Sequence, residues 1–531
     1  MNGGQEHSQA AMSSIPAQSP PAKPAIGAKD PHRRHFSTDH LMGDLKGRSL
    51  RGGTVTLTAQ TLKFVLHMGS TVVLARLLLP SDFGLIAMVI AVTGFVEMFK
   101  DAGLSTATVQ RKDITHEQVS TLFWINVLLG VAATIVIAAL APVVAAFYAE
   151  PKLIPITMVL AGAMIFGGLT TQHQALLRRQ MRFKALAIIQ VSAMAIGIIV
   201  AIVMAILGFG YWALVSNICA AAATNAVLVW VFCDWRPGLP RRGCGAMSML
   251  KFGGNVTGFS FLNYFTRNAD NVIIGFVMGS GPLGIYSKAY NLLMLPIRQI
   301  NAPVGAVMVP SLSRLQDNPV RYKRAYLQAM SALAMVGMPI VVVAYVLAHE
   351  MVYVLLGPEW AQAATVFRWL APAALFGTVN VAPGWLCVSL GKPQVQVRWA
   401  MMWAPITVAA FAIGVHWGID GVAAAFSLSW CIGNFVFIAM ACHNSPVRKR
   451  DLAARLAPQL TASLLSAIAG LFALGALDGT VPSAIGRIAI VGPLVGLVYL
   501  GVLWLIPASR SQLSTLLHDG IKAAATKDGA R

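Results

Sequence analysis

The chain has 531 residues, 56% of them hydrophobic and only 11% charged. A soluble globular protein is about 25% charged, so this composition excludes a chain dissolved wholly in water. A formal net charge of +20 would suit a nucleic-acid partner, but the placement of the basic residues gives them another task.

In chain order, the first 50 residues are rich in Ala, Pro, Ser, His and Gly, with no apolar core or cleavage-like site. They are predicted to form a disordered cytoplasmic tail and not a signal peptide. Apolar stretches free of Asp, Glu, Lys and Arg follow, among them Gln118 to Ala149, Leu153 to Leu177, Ala185 to Cys233, Trp399 to Ile419, Leu456 to Leu477 and Ile488 to Ser509. Each is long enough for a bilayer-spanning helix. The third is too long for one span and is predicted to break at Gly208-Phe209-Gly210.

About fourteen spans are predicted, starting near Thr54, Phe83, Val119, Leu153, Ala185, Tyr211, Phe252, Leu283, Leu327, Ala363, Val395, Gly421, Leu456 and Ala484. Even-numbered loops then hold twenty Lys and Arg residues, whereas odd-numbered loops hold only Arg76, Lys152 and Arg487. Under the positive-inside rule both termini are cytoplasmic. The basic excess is a topology device, which removes the case for nucleic acid.

The chain also resembles itself at an offset of 200 residues. Gly53 matches Gly253, Gly84 matches Gly284, Val72-Val73-Leu74-Ala75 matches Val272-Ile273-Ile274-Gly275, and Leu85 matches Ile285. Six spans between the copies insert both in the same orientation, the parallel transporter repeat, with the substrate site between the halves. The predicted fold is an all-α integral membrane protein. Two six-helix lobes cover residues 51–240 and 241–450, two added helices lie at 451–510, and a cytoplasmic tail covers 511–531.

Basic residues inside spans are Lys63 and His67 in the first, Lys100 in the second, Arg267 in the seventh, Lys288 and Arg298 in the eighth and Arg368 in the tenth. Acidic Glu97, Asp101 and Asp270 share this opening pair of helices in each half. A charge at mid-bilayer costs about 2.5–3.5 kcal/mol on insertion scales, so it faces a wet cavity or a partner. Gln60, Lys63 and His67 are spaced to share one helix face. His67 plus 200 is Arg267, so both halves set a basic nitrogen at one depth. Arg267 and Asp270 also suit a local ion pair, and Lys100, Asp101 and Lys288 lie near enough to a membrane face to snorkel. The expected site is a basic cleft of Lys63, His67, Lys100, Arg267, Lys288, Arg298 and Arg368 for an anionic group such as a diphosphate.

Glu97, Asp101 and Asp270 are the candidates for ion coupling. A proton would use the carboxylates, whereas sodium would need clustered oxygens such as those of Asn263, Asn268, Asp270 and Asn271. The six cysteines form no C-x-x-C pair, and no Walker loop or G-x-G-x-x-G is present, so neither a metal nor a cofactor is expected. Pro296, Pro303, Pro310, Pro372 and Pro383 are predicted to kink the eighth and tenth spans. The basic stretch from Asn318 to Gln328 is predicted to lie on the cytoplasmic leaflet before the ninth span.

The run Leu74-Ala75-Arg76-Leu77-Leu78-Leu79-Pro80-Ser81-Asp82-Phe83-Gly84-Leu85 resembles the junction of the first two helices in polysaccharide-transporter flippases of the Wzx type. Asp101-Ala102-Gly103-Leu104, Val109-Gln110-Arg111-Lys112-Asp113, Leu177-Arg178-Arg179-Gln180-Met181-Arg182-Phe183 and Leu207-Gly208-Phe209-Gly210-Tyr211-Trp212-Ala213-Leu214 match the same group. The likeness covers Leu50 to about Pro240 well and the second half more loosely.

This resemblance implies the multidrug/oligosaccharidyl-lipid/polysaccharide superfamily, a MATE-like fold, alternating access without ATP hydrolysis and a bacterial inner-membrane location. It implies translocation of undecaprenyl-diphosphate-linked oligosaccharide units for exopolysaccharide, capsule or O-antigen synthesis. The implied partners are that lipid-linked substrate, membrane lipids, H+ or Na+, and the polymerase and glycosyltransferases of the pathway. An ion-coupled drug or lipid exporter of the same superfamily is the alternative, but cationic drugs call for an acidic cavity. A membrane-embedded glycan polymerase or glycosyltransferase would need a larger extramembrane loop. The chain is therefore read as a transporter and not an enzyme.

Overall fold

In hydrocarbon every backbone N–H and C=O must be satisfied within the chain, so long apolar runs form helices. The computed structural model describes residues 36, 45–101, 104–111, 114–241, 264, 267–507 and 509–510, and these contain helices and no strands. The first group is α1 (Leu45–Leu77), α2 (Pro80–Asp101), the short α3 (Leu104–Gln110), α4 (His116–Tyr148), α5 (Leu153–Arg179), α6 (Phe183–Ile206) and α7 (Trp212–Phe232). Helix α8 covers residues 267–278. Then come α9 (Ser280–Ser313), α10 (Pro319–Val346), α11 (Ala348–Leu355), α12 (Ala361–Gly377), α13 (Val381–Ser389), α14 (Pro393–Gly414), α15 (Gly418–Ala441), α16 (Lys449–Leu477) and α17 (Ala484–Leu505).

Among the described residues, 10 helical segments are long and apolar enough to cross a membrane. One of them, Pro393–Ala441, holds both α14 and α15. The chain is a multi-pass membrane protein. The seventh predicted span, including Lys251 to Gly254 and Asn263, lies outside the described residues up to Arg267, apart from Tyr264.

Local chemistry explains several boundaries. Thr115 and Gln118 form a capping box that starts α4. The break between α6 and α7 falls at Gly208 and Gly210, whose φ values of 81° and 53° lie where glycine alone is unstrained. Helix α1 begins inside the segment expected to be a tail, and the buried Phe36 accepts a hydrogen bond from Arg179 at its carbonyl.

The stretch from Asn318 to Gln328 is not a separate surface helix. Asn318 caps α10 by accepting from the Arg321 N–H, and the helix then runs unbroken to Val346. Tyr322 and Tyr326 on its apolar stripe are fully buried, while Lys323 pairs with Asp451 of α16 at 2.7 Å. Burial of two tyrosines holds this segment against the bundle, and the basic face is what remains outside.

Helices α1, α2 and α4–α7 pack together as one lobe, and α9, α10 and α12–α15 as a second. The α16–α17 hairpin packs on α10 and α11. Arg487 at the start of α17 ties it down by contacting Glu350 at 3.7 Å and Asp478 at 3.0 Å.

The lobes join where α2 crosses α9. A Cβ on Gly84 would lie 1.7 Å from the Ser280 carbonyl oxygen, and one on Gly284 would lie 1.8 Å from that of Pro80. The four positions keep the offset of 200, so the contact is reciprocal, and only glycine lets two backbones come this close. Beside the crossing, the Trp360 indole donates to the Ala75 carbonyl at 2.8 Å. Phe83 meets the Trp360 ring edge-on at 5.3 Å. One end of the lobe interface is thereby closed.

Candidate functional site

Beyond that seal the lobes part around a cavity of about 1150 Å³. Its wall begins at Phe83 and Ile86 near the crossing and runs to Val309, Val388 and Gln396 close to the turns that follow α9 and α13. The first lobe contributes α1, α2 and α7, and the second contributes α9 and α12–α15 with α8.

Helix α9 is the main carrier of polar groups. Its 34 residues include Pro296, Pro303 and Pro310, each of which withholds an N–H from the preceding turn. On it stand Lys288, Tyr290, Arg298 and Asn301, all facing the cavity. Asn301 donates to the Gly377 carbonyl at 3.1 Å, where the tenth predicted span is broken between α12 and α13. Pro383 has no N–H to offer the Val379 carbonyl, which is taken instead by the Ala382 N–H in a tighter turn. The expected kink at this proline is a discontinuity, and Asn301 satisfies one of the carbonyls it frees.

Of the residues singled out by charge, the cavity gathers His67, Arg267, Asp270, Lys288 and Arg298. The Lys288 ammonium sits 4.1 Å above the Phe83 ring centroid, and the Arg298 guanidinium lies 5.6 Å from that of Tyr290. Asp270 is buried, only 3% exposed, and accepts from the Tyr286 hydroxyl at 2.9 Å and the Asn271 N–H at 2.8 Å. No ion pair joins Asp270 to Arg267. Among the described residues the wall therefore carries three Lys and Arg side chains against one carboxylate that is already hydrogen-bonded.

Other candidates fall elsewhere. Lys63 donates to Gln190 of α6 at 2.9 Å and is absent from the cavity wall, one turn from His67. Arg368 is exposed on α12, also off the wall. The side chains of Glu97, Lys100 and Asp101 lie outside the described residues, as does Asn263, whereas Asn268 and Asn271 line the cavity. No group of three His, Cys, Asp or Glu side chains suited to a metal occurs among the described residues.

Charge placement missed the aromatic wall of the second lobe. Trp385, Trp399, Trp403, Phe426, Trp430 and Phe437 line the cavity. The Trp399 indole donates to the Gly433 carbonyl at 2.9 Å and that of Trp403 to Ser429 at 3.1 Å. Phe426 stacks on Trp430 with centroids 5.4 Å apart. The sequence signal was the four-residue spacing of Trp399 with Trp403 and of Phe426 with Trp430, which sets each pair on one helix face.

The family model described as "Polysaccharide biosynthesis protein" matches residues 73–365. The lipopolysaccharide biosynthesis protein WzxC of Escherichia coli (strain K12) is 24% identical over 391 residues, which is 72% of this chain and 79% of that protein. The succinoglycan biosynthesis transport protein ExoT of Rhizobium meliloti (strain 1021) is 25% identical over 473 residues, 87% of this chain and 93% of its own. Among solved structures, the lipid II flippase MurJ in an inward closed conformation aligns with a TM-score of 0.68 at 13% identity, over 86% of this chain and 99% of that one. An inward-facing multidrug resistance MATE family transporter of the MOP superfamily aligns with a TM-score of 0.59 at 14% identity, over 74% and 95%. These structural likenesses carry the fold.

Proposed function

The chain belongs to the polysaccharide biosynthesis protein family, and from that premise we propose that it is a flippase for undecaprenyl-diphosphate-linked oligosaccharide units. It works by alternating access in a bacterial inner membrane, with both termini cytoplasmic. The observation that carries the reading is the basic cavity between the lobes, where Arg267, Lys288 and Arg298 have no carboxylate partner among the described residues. Unpaired cations inside a membrane protein mark a substrate path. A diphosphate supplies two adjacent negative groups, and the forked guanidinium groups of Arg267 and Arg298 suit bidentate contact with them. The lipid tail stays in the bilayer while the headgroup enters between the lobes.

The working units are residues 51–240 and 241–450, rocking about the α2–α9 crossing, with 451–510 as an appendage. The crossing and the Trp360 contact form the closed, periplasmic end, and the cavity serves the cytoplasmic leaflet. Asp270 is the coupling carboxylate in this scheme, with H+ or Na+ as its ion; the buried Asn271 Oδ1 without a partner supplies a neighbouring oxygen.

The test uses the native host. Alanine at Arg267, Lys288 and Arg298 together is expected to abolish surface polysaccharide while the membrane fraction still holds the protein at parental level. Parental amounts of polysaccharide from that variant would overturn the proposal. Arg298→Lys keeps the charge but loses the fork, and is expected to fall between the two.

A further inference from the structure

We propose that the part of the cavity inside the second lobe is a carbohydrate subsite, distinct from the cationic part at the lobe interface. In it Trp430 and Asn434 act as a donor–acceptor pair for a sugar hydroxyl. The inference rests on the flippase reading and assigns the glycan to a place within it.

The wall here changes character. Gln396, Trp399, Trp403, Thr407, Trp430 and Asn434 face the cavity without a formal charge among them. Three indoles beside amide and hydroxyl groups suit a ligand that is apolar on its C–H faces and polar around its rim, which describes a sugar ring. A lipophilic cation would call for carboxylates, and a bare lipid chain would leave the amides unpaired.

The indoles divide the work. Trp399 and Trp403 have their N–H groups committed to carbonyls of α15, so they offer only ring surface. The Trp430 Nε1 is buried and makes no hydrogen bond, and the Asn434 Oδ1 is likewise buried and unpartnered. Asn434 is only 4% exposed, and it stands one turn after Trp430 on α15, so both point the same way. An indole N–H can only donate and an amide oxygen can only accept, while a hydroxyl does both. A buried donor or acceptor left unmatched is costly, so the pair is held ready for a ligand with the complementary group.

The two parts of the cavity adjoin. Arg298 lies over Tyr290, Tyr290 meets Phe426 edge-on at 5.4 Å, and Phe426 stacks on Trp430. A diphosphate held at Arg298 would thus deliver its first sugars along this aromatic run toward Trp430 and Asn434.

The test measures binding to the full-length protein in nanodiscs with two probes: undecaprenyl diphosphate, and lipid-linked oligosaccharide extracted from the host lacking this protein. Trp430→Phe removes one N–H and keeps the ring on Phe426, and Asn434→Leu removes the acceptor. With each lost hydrogen bond weakening binding a few-fold, the double variant is expected to bind the oligosaccharide-linked probe about tenfold more weakly. Undecaprenyl diphosphate should bind it as it binds the parent. Parental affinity for both probes, or equal loss for both, would overturn the subsite. If the double variant does not fold, Trp430→Phe alone is read the same way, with an expected loss of about threefold. The triple alanine variant at Arg267, Lys288 and Arg298 is expected to weaken both probes. Its failure to weaken either would overturn the flippase reading, separately from the subsite.

Discussion

The two lobes differ in how the helices after their third span pack on one another. In the first lobe, Gly168 of α5 lies against α4, where an added Cβ would come 2.6 Å from the Asn126 carbonyl oxygen. Beside it Gln172 donates to Asn126 at 2.9 Å and accepts from Thr108 at 2.8 Å, all three buried. Gly197 brings α6 onto α7 at Asn217 in the same way. In the second lobe the counterpart of α5 is broken between Gly377 and Val381. The counterparts of α6 and α7 are held by tryptophans: a Cβ on Gly433 would lie 2.3 Å from the Trp403 Nε1. Gly168 and Gly197 admit a backbone and Gly433 admits a large ring, while Gly414 and Gly421 bring only the turn-side ends of α14 and α15 together as backbone. The first lobe is closed here by backbone contact, and the second keeps an aromatic-walled interior that opens on the cavity between the lobes.

This contrast can be broken at its strongest point first. Gly168→Leu sets a side chain against an immovable carbonyl, and is expected to lower stability by about 3 kcal/mol or more. Thermal unfolding in detergent checks this, and an unchanged midpoint would remove the backbone-contact account of the first lobe. Gly433→Leu meets a side chain that can swing away, so about 1–2 kcal/mol is expected. Its larger effect should be on export, because Trp403 is displaced into the cavity; surface polysaccharide measured at normal protein level reports it.

Two polar substitutions sharpen the same difference. Gln172→Leu strips buried Asn126 and Thr108 of a partner and should cost about 1–3 kcal/mol, with affinity for lipid-linked oligosaccharide unchanged. Asn301→Leu leaves the Gly377 carbonyl unpaired at the helix break, for a loss of about 1–2 kcal/mol, and should also slow export because the broken segment lines the cavity. Equal effects of both on export would erase the distinction between lobes. Lys323→Ala, which removes a partly exposed pair with Asp451, should change stability by less than about 1 kcal/mol; a larger shift in melting temperature would show that this pair holds α10 to α16 more firmly than its exposure implies.

Much of the architecture was legible in advance for a physical reason. Apolar runs in hydrocarbon have little choice but helix, and the glycines at 208 and 210 mark the break that the backbone adopts. The match of Gly84 with Gly284 was visible as a repeat, and the structure turns it into a reciprocal contact between lobes. The stretch at the start of α10 shows the limit of periodicity, which reports a face without saying what will cover it: Tyr322 and Tyr326 are covered by the second lobe, and the segment runs on into the helix.

The site was legible only as a list of costly charges. Lys63 and His67 stand four residues apart on α1, a spacing that puts them near one helix face. Lys63 nevertheless reaches Gln190 of α6, while His67 reaches the cavity. Trp430 and Trp399 are the same residue type in neighbouring helices, but only Trp399 meets a carbonyl. Sequence by itself determined the helices, the repeat and the surplus of cations, because those follow from hydrogen bonding and desolvation within each segment. Which side chains share a cavity, and which of them keep a free donor or acceptor, was decided by how the helices rotate against their neighbours, and that depends on contacts between residues far apart in the chain.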